Sequence, residues 1–98
     1  MNFNILIADF EKDLKENFQI ELLELNYMPY LFGSGFAVYR IKGRNVKISL
    51  DGRDNTIELY SGLKHDKYPQ TTWHLLFTGL AIELAQTGIK ELIRILNS

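Results

Sequence analysis

The sequence predicts a single α+β domain over residues 1–98, built as a helix, a three-stranded antiparallel meander and a long C-terminal helix (α-β-β-β-α), with the helices packed on one face of the sheet. Three observations predict it. Apolar residues recur in steps of three and four near both ends of the chain, they alternate singly through the middle, and dense turn signals separate the alternating runs. A chain of 98 residues buries roughly 65% of its unfolded surface, enough for one core without staples.

At the N-terminus, Phe3, Ile7, Phe10, Leu14, Phe18, Leu22 and Leu25 fall on one stripe of a helix. Asn2 or Asn4 supplies an N-cap, and Pro29 forbids helix much past Tyr27. Unbroken from residue 4 to 26, this helix would be ~35 Å long, which is long for so small a domain. A break near Phe18 is the alternative, and Gln19-Ile20-Glu21-Leu22 also alternates as a strand does. Gly33-Ser34-Gly35 then reads as a bend that folds the aromatic-rich segment 27–32 back on the core.

In the meander, Ala37, Tyr39 and Ile41 share one face and Val38, Arg40 and Lys42 the other. Val46, Ile48 and Leu50 oppose Lys47, Ser49 and Asp51 in the second strand, and Ile57, Leu59 and Ser61 oppose Glu58 and Tyr60 in the third. A two-residue loop of Gly43-Arg44 would pair Ile41 with Val46 and Tyr39 with Ile48. The turn Asp51-Gly52-Arg53-Asp54-Asn55 pairs Leu50 with Ile57 and Ile48 with Leu59. Both hairpins therefore bury the same face. Beyond a polar connection, Thr71 or Thr72 caps a second helix, with Trp73, Phe77, Leu80, Leu84, Leu92 and Ile95 as its apolar stripe and a kink at Thr87-Gly88. Its segment 75–85 is apolar around most of the circumference, which predicts burial on more than one side.

The helix, three-strand, helix order resembles the double-stranded-RNA-binding domain in topology. That family begins its second helix with lysines that grip phosphates, whereas the matching segment here, Pro69-Gln70-Thr71-Thr72-Trp73-His74-Leu75, has no cation. No family is assigned on topology alone.

Composition narrows the chemistry. The absence of cysteine excludes disulfides, thiol catalysis and thiolate metal sites. His65 and His74 are the only histidines and form neither H-x-H nor H-x-x-x-H, and no other residues supply a catalytic constellation, so no cofactor or metal is expected and an enzyme is disfavoured. Gly33-Ser34-Gly35 lacks the Gly-Lys-Ser/Thr and following helix of a phosphate loop, and the turn at 51–55 lacks the spaced acids of a calcium loop. No basic stretch precedes the first apolar residues, and the longest uncharged run is short and polar-studded. A cytoplasmic protein with no membrane association is expected.

The net charge of −1 hides a segregation: residues 1–30 carry −4, residues 31–68 carry +3, and the remainder balances. Asp9, Asp13, Glu16, Glu21 and Glu24 are accordingly expected on an acidic helix face suited to a basic protein partner, as in small inhibitor, immunity or adaptor proteins. Arg40, Lys42, Arg44, Lys47 and Tyr60 form the alternative site, a basic sheet face for single-stranded nucleic acid. The excess of apolar surface on the second helix and on segment 27–32 predicts a homodimer.

Overall fold

The computed structural model describes residues 2–98. The architecture is α+β, with a five-stranded antiparallel sheet where the sequence predicts three strands. Helix α1 (Phe3–Lys15) leads into β1 (Glu21–Met28), β2 (Ser34–Ile41), β3 (Arg44–Asp51), β4 (Thr56–Ser61) and β5 (His74–Gly79). The strands lie side by side in chain order. A C-terminal helical segment follows as α2 (Ala81–Glu83), a π-helical stretch (Leu84–Gly88) and α3 (Ile89–Leu96).

Helix α1 starts where the sequence places it. The Asn2 side chain accepts the Asn4 amide at 2.7 Å, satisfying one of the amides that the first helical turn leaves unpaired. Phe3, Leu6, Ile7, Phe10 and Leu14 are its buried face. The helix stops at Lys15 instead of running to residue 26, so the alternative break near Phe18 and the strand-like alternation after it describe the chain better than the helical stripe. Leu22 and Leu25 continue that stripe by coincidence of spacing and are half exposed on β1, at 47% and 50%.

The second correction concerns the first hairpin. Its loop is Lys42-Gly43, pairing Ile41 with Arg44, Tyr39 with Val46 and Ala37 with Ile48. Lys42 (φ 49°) and Gly43 (φ 76°) are both left-handed, the requirement of a type I′ turn, whose twist matches the strands it joins. The predicted pairing is displaced by two residues, and a displacement of two leaves every side chain on its original face. Tyr39, Ile41, Val46, Ile48, Leu50, Ile57 and Leu59 are therefore buried as expected. The second hairpin has the predicted register, Leu50 opposite Ile57 and Ile48 opposite Leu59.

The third correction is to the long second helix. Residues 74–79 pair with β4 as an edge strand, and helix begins only at Ala81. The expected kink at Thr87-Gly88 lies at the end of the π-helical stretch. Gly88 lets that stretch close on the sheet: a Cβ there would sit 2.8 Å from Leu84 and 3.0 Å from the Phe77 ring.

One core lies between the sheet and the helices. It joins the α1 residues to Ala37, Tyr39, Ile41, Val46, Ile48, Leu50, Ile57 and Leu59 of the sheet and to Leu84, Ile89, Leu92 and Leu96 beneath them. Tyr39 links the layers, with its ring 5.7 Å from that of Phe10 and its hydroxyl donating to Glu11 at 2.8 Å. Segment 27–32 does not fold back on the core as a unit. Tyr27 packs there, 6.4 Å from the Phe3 ring, while Tyr30 (79%) and Phe32 (67%) protrude at the β1–β2 turn. That turn meets the β3–β4 turn closely enough that a Cβ on Gly52 would lie 2.0 Å from the Phe32 carbonyl oxygen, so no side chain fits at position 52.

Candidate interaction surface

The face of the sheet turned away from the helices divides into a covered end and an open end. The covered end is made by residues 62–73, the connection between β4 and β5. Asn45, wholly buried on β3, holds it in place. Its amide nitrogen donates to Thr71 Oγ1 at 2.8 Å and to the Asp66 carbonyl at 3.3 Å, and its oxygen accepts from Arg40 Nη1 at 2.8 Å. Arg40 Nη1 also donates to the Asp66 carbonyl, and Arg44 Nη1 to the Gly62 carbonyl at 3.1 Å. The Asp66 carboxylate in turn accepts the Leu63 and Thr72 amides at 3.1 and 3.2 Å. Tyr68 reaches across to β1, where its hydroxyl donates to Glu24. No buried side-chain nitrogen or oxygen among the described residues lacks a partner, so this polar knot is closed.

At the open end, Lys47 stands among three aromatic rings. Its ammonium lies 5.2 Å from the centroid of Phe36, 5.6 Å from Tyr60 and 5.8 Å from Trp73, within the range of cation–π attraction. Strand pairing brings them together: β2 contributes Phe36, β3 contributes Lys47, β4 contributes Tyr60 directly opposite Lys47, and Trp73 precedes β5 with its ring steeply inclined to that of Tyr60, centroids 6.4 Å apart. The Tyr60 hydroxyl donates to Glu58 at 2.8 Å, and this bond, helped by partial burial, raises the phenol above its ordinary range. The two ion pairs found among the described residues, Lys15–Glu11 and Arg94–Glu91, leave Lys47 out.

Next to this cluster is an open depression of about 340 Å³ whose wall includes Met28, Ser34, Phe36, Lys47, Ser49, Asp51, Glu58 and Tyr60. Met28 and Ser34 flank the β1–β2 turn, in which Tyr30, Leu31 and Phe32 are exposed. Arg53 lies 6.0 Å over the Phe32 ring at that tip.

The structure spreads the residues of both predicted sites over several elements. Of the basic sheet face, only Lys47 and Tyr60 meet. Arg40 and Arg44 are engaged by the connection, while Lys42 lies in the hairpin turn, donating to Asn97 at 3.4 Å and contacting Phe18. The acidic helix face is divided because the helix ends early. Asp9 and Asp13 border a small cleft of about 80 Å³ between α1 and the C-terminal helical segment, Glu16 caps α1, and Glu21 and Glu24 stand on β1. Both histidines are exposed, His65 in the connection and His74 at the start of β5. Sequence reasoning missed Phe36 and Trp73 on this surface. Carrying the β2 alternation two residues back from Val38 identifies Phe36; Trp73 was hidden by its helical spacing to Phe77 and Leu80.

No family model matches the chain, and neither a curated protein nor a solved structure matches it.

Proposed function

We propose that this chain is a small non-catalytic protein-interaction module, of the inhibitor, immunity or adaptor type, that engages a polypeptide partner through the open end of its outer sheet face. The observation that supports this most directly is the cluster of Phe36, Tyr60 and Trp73 around the unpaired ammonium of Lys47. Rigid rings with one polar tip supply large contact area at small entropic cost, and aromatic anchors set in a depression with a polar rim are the usual centre of a protein interface. Asp51 and Glu58 on the rim favour a partner that brings a cationic side chain into the depression. The exposed tip of Tyr30, Leu31 and Phe32 extends the apolar surface beyond it.

Single-stranded nucleic acid is the competing occupant, favoured by three rings where the sequence suggested one. Charge weighs against it. Two of the four expected cations are spent on backbone carbonyls, a third faces elsewhere, and two carboxylates share the depression with the fourth.

Trp73 is the only tryptophan in the chain, so its emission reports on this surface alone. Titration with a mixed-sequence single-stranded oligonucleotide at low salt should leave the emission unchanged. Quenching that weakens steeply with added salt would replace the protein reading with the nucleic-acid one. Capture from the native cell should then be run in parallel with the wild type, Trp73→Ala and Lys47→Glu. A partner held by the wild type and lost by both folded variants supports the assignment, and equal retention by all three removes this surface from the function.

A further inference from the structure

We propose that β5 pairs antiparallel with β5 of a second copy of this chain about a two-fold axis, joining the two five-stranded sheets into one continuous sheet. The two edges of the sheet are β1 and β5; each is interrupted by one bulge, at Leu23 and at Leu76, and they differ in the charge they carry. An edge strand presents a row of unpaired amides and carbonyls, and proteins that remain monomeric guard it with charges, proline or a cover. β1 carries Glu21 and Glu24, so pairing it with its own symmetry mate would bring carboxylates toward carboxylates. β5 reads His74-Leu75-Leu76-Phe77-Thr78-Gly79, with no carboxylate, lysine, arginine or proline. Pairing β5 with itself therefore meets no like-charge penalty, and the near-neutral total of −1 adds little repulsion between copies.

Apolar surface gathers along the same edge. Leu75 is 52% exposed, and Leu80 and Ile82, which follow β5 directly, are 50% and 67% exposed. An axis perpendicular to the sheet keeps the helical layers of both copies on one side, and antiparallel pairing brings Leu80 and Ile82 of each copy over the His74 end of the other's β5. Such a contact is isologous and closes at two copies, whereas β5 against β1 would be head-to-tail and open-ended. This inference is independent of the outer-face reading, since the edge can pair whatever the face binds.

Light scattering and sedimentation across micromolar concentrations should give twice the 11.4 kDa chain mass for the wild type. Leu75→Lys, at an exposed position, should return the mass to one chain with an unchanged circular dichroism spectrum, and Leu25→Lys on the opposite edge should leave the dimer intact. Should Leu75→Lys fail to fold, Ile82→Lys provides the same test outside the sheet. Hydrogen exchange gives a second readout: the β5 amides should be protected in concentrated protein and lose protection on dilution, with the β1 amides unaffected. A mass of 11.4 kDa at every concentration overturns the proposal and leaves this edge to a strand of another chain. A dimer that survives Leu75→Lys and Ile82→Lys, or that protects β1 instead of β5, overturns it equally.

Discussion

Tyr39 joins helix to sheet through a buried ring and a hydroxyl bonded to Glu11, and that placement makes it sensitive to alkali. Burial first, and then the neighbouring Glu11 carboxylate, raise the phenol above the ordinary value of 10.0. The folded chain therefore keeps the proton at a pH where the unfolded chain loses it. The stabilisation is complete below pH 10.0 and is lost as the pH climbs above that value. Tyr39→Phe should cost ~0.5–1.5 kcal/mol at neutral pH, for the lost hydrogen bond. It should also flatten the fall in stability above about pH 10, where Tyr39 loses its proton in the unfolded chain but keeps it in the folded one. Urea unfolding midpoints measured across that range check both parts, and a variant whose alkaline slope matches the wild type would show that Tyr39 does not set it. Position 39 was legible in the sequence as core because single alternation needs no knowledge of partners. Its bond to Glu11 was not, because it depends on how the helix crosses the sheet.

Among the elements, the central ones were legible and the flanking ones were not. β3 and β4 alternate apolar with polar residues, and β2 does so from Tyr39 onward, since one face of each meets the core. β1 and β5 lie at the edges and carry apolar residues that are half exposed, so their pattern lacks the contrast that period-two reading requires. Spacings of three and four, from Phe18 to Leu25 and from Trp73 to Leu84, then imitate a helix. The hairpin register failed for a different reason. Glycine first suggested one turn type, but Lys42 accepts a left-handed conformation and gives another. A lysine there costs ~1–2 kcal/mol relative to a residue at ease in that region. Lys42→Asn should therefore stabilise the chain by roughly 0.5–1 kcal/mol without moving the register, since asparagine-glycine is the preferred type I′ pair. Thermal or urea unfolding measures the gain, and a loss of stability would show that the Lys42 contacts with Asn97 and Phe18 outweigh the strain.

Across the whole molecule, the connection at 62–73 decides which part of the outer face remains open. Asn45 is its anchor, and the buried Val38, at 1% exposure on the outer side of β2, shows how completely that end is closed. The predicted outer-face position of Val38 was right, and that it is buried there was not legible, because the covering segment comes from elsewhere in the chain. Asn45→Ala removes an acceptor from Arg40 and two donations that hold the connection. It should cost ~1–3 kcal/mol, because partners left behind stay buried without water. It should also free Trp73, at the end of the connection, from its packing on Tyr60. A red-shifted Trp73 emission together with a lower unfolding midpoint would show both effects. An unchanged emission would mean that the strand, rather than the connection, holds the ring.

The strand order carries a kinetic consequence. Each strand pairs with its neighbour in sequence, so the sheet can grow by closing short loops, and only the 62–73 connection spans a longer gap. Loop closure entropy rises with loop length, so the β2–β3–β4 hairpins are the least costly nucleus and β5 the last strand to join. Substitutions at Ile48 and Leu59, which face each other across β3 and β4, should slow folding, whereas those at Leu76 in β5 should mainly speed unfolding. The edge left unpaired in the finished monomer would then also be the edge that stays uncovered longest while the chain folds.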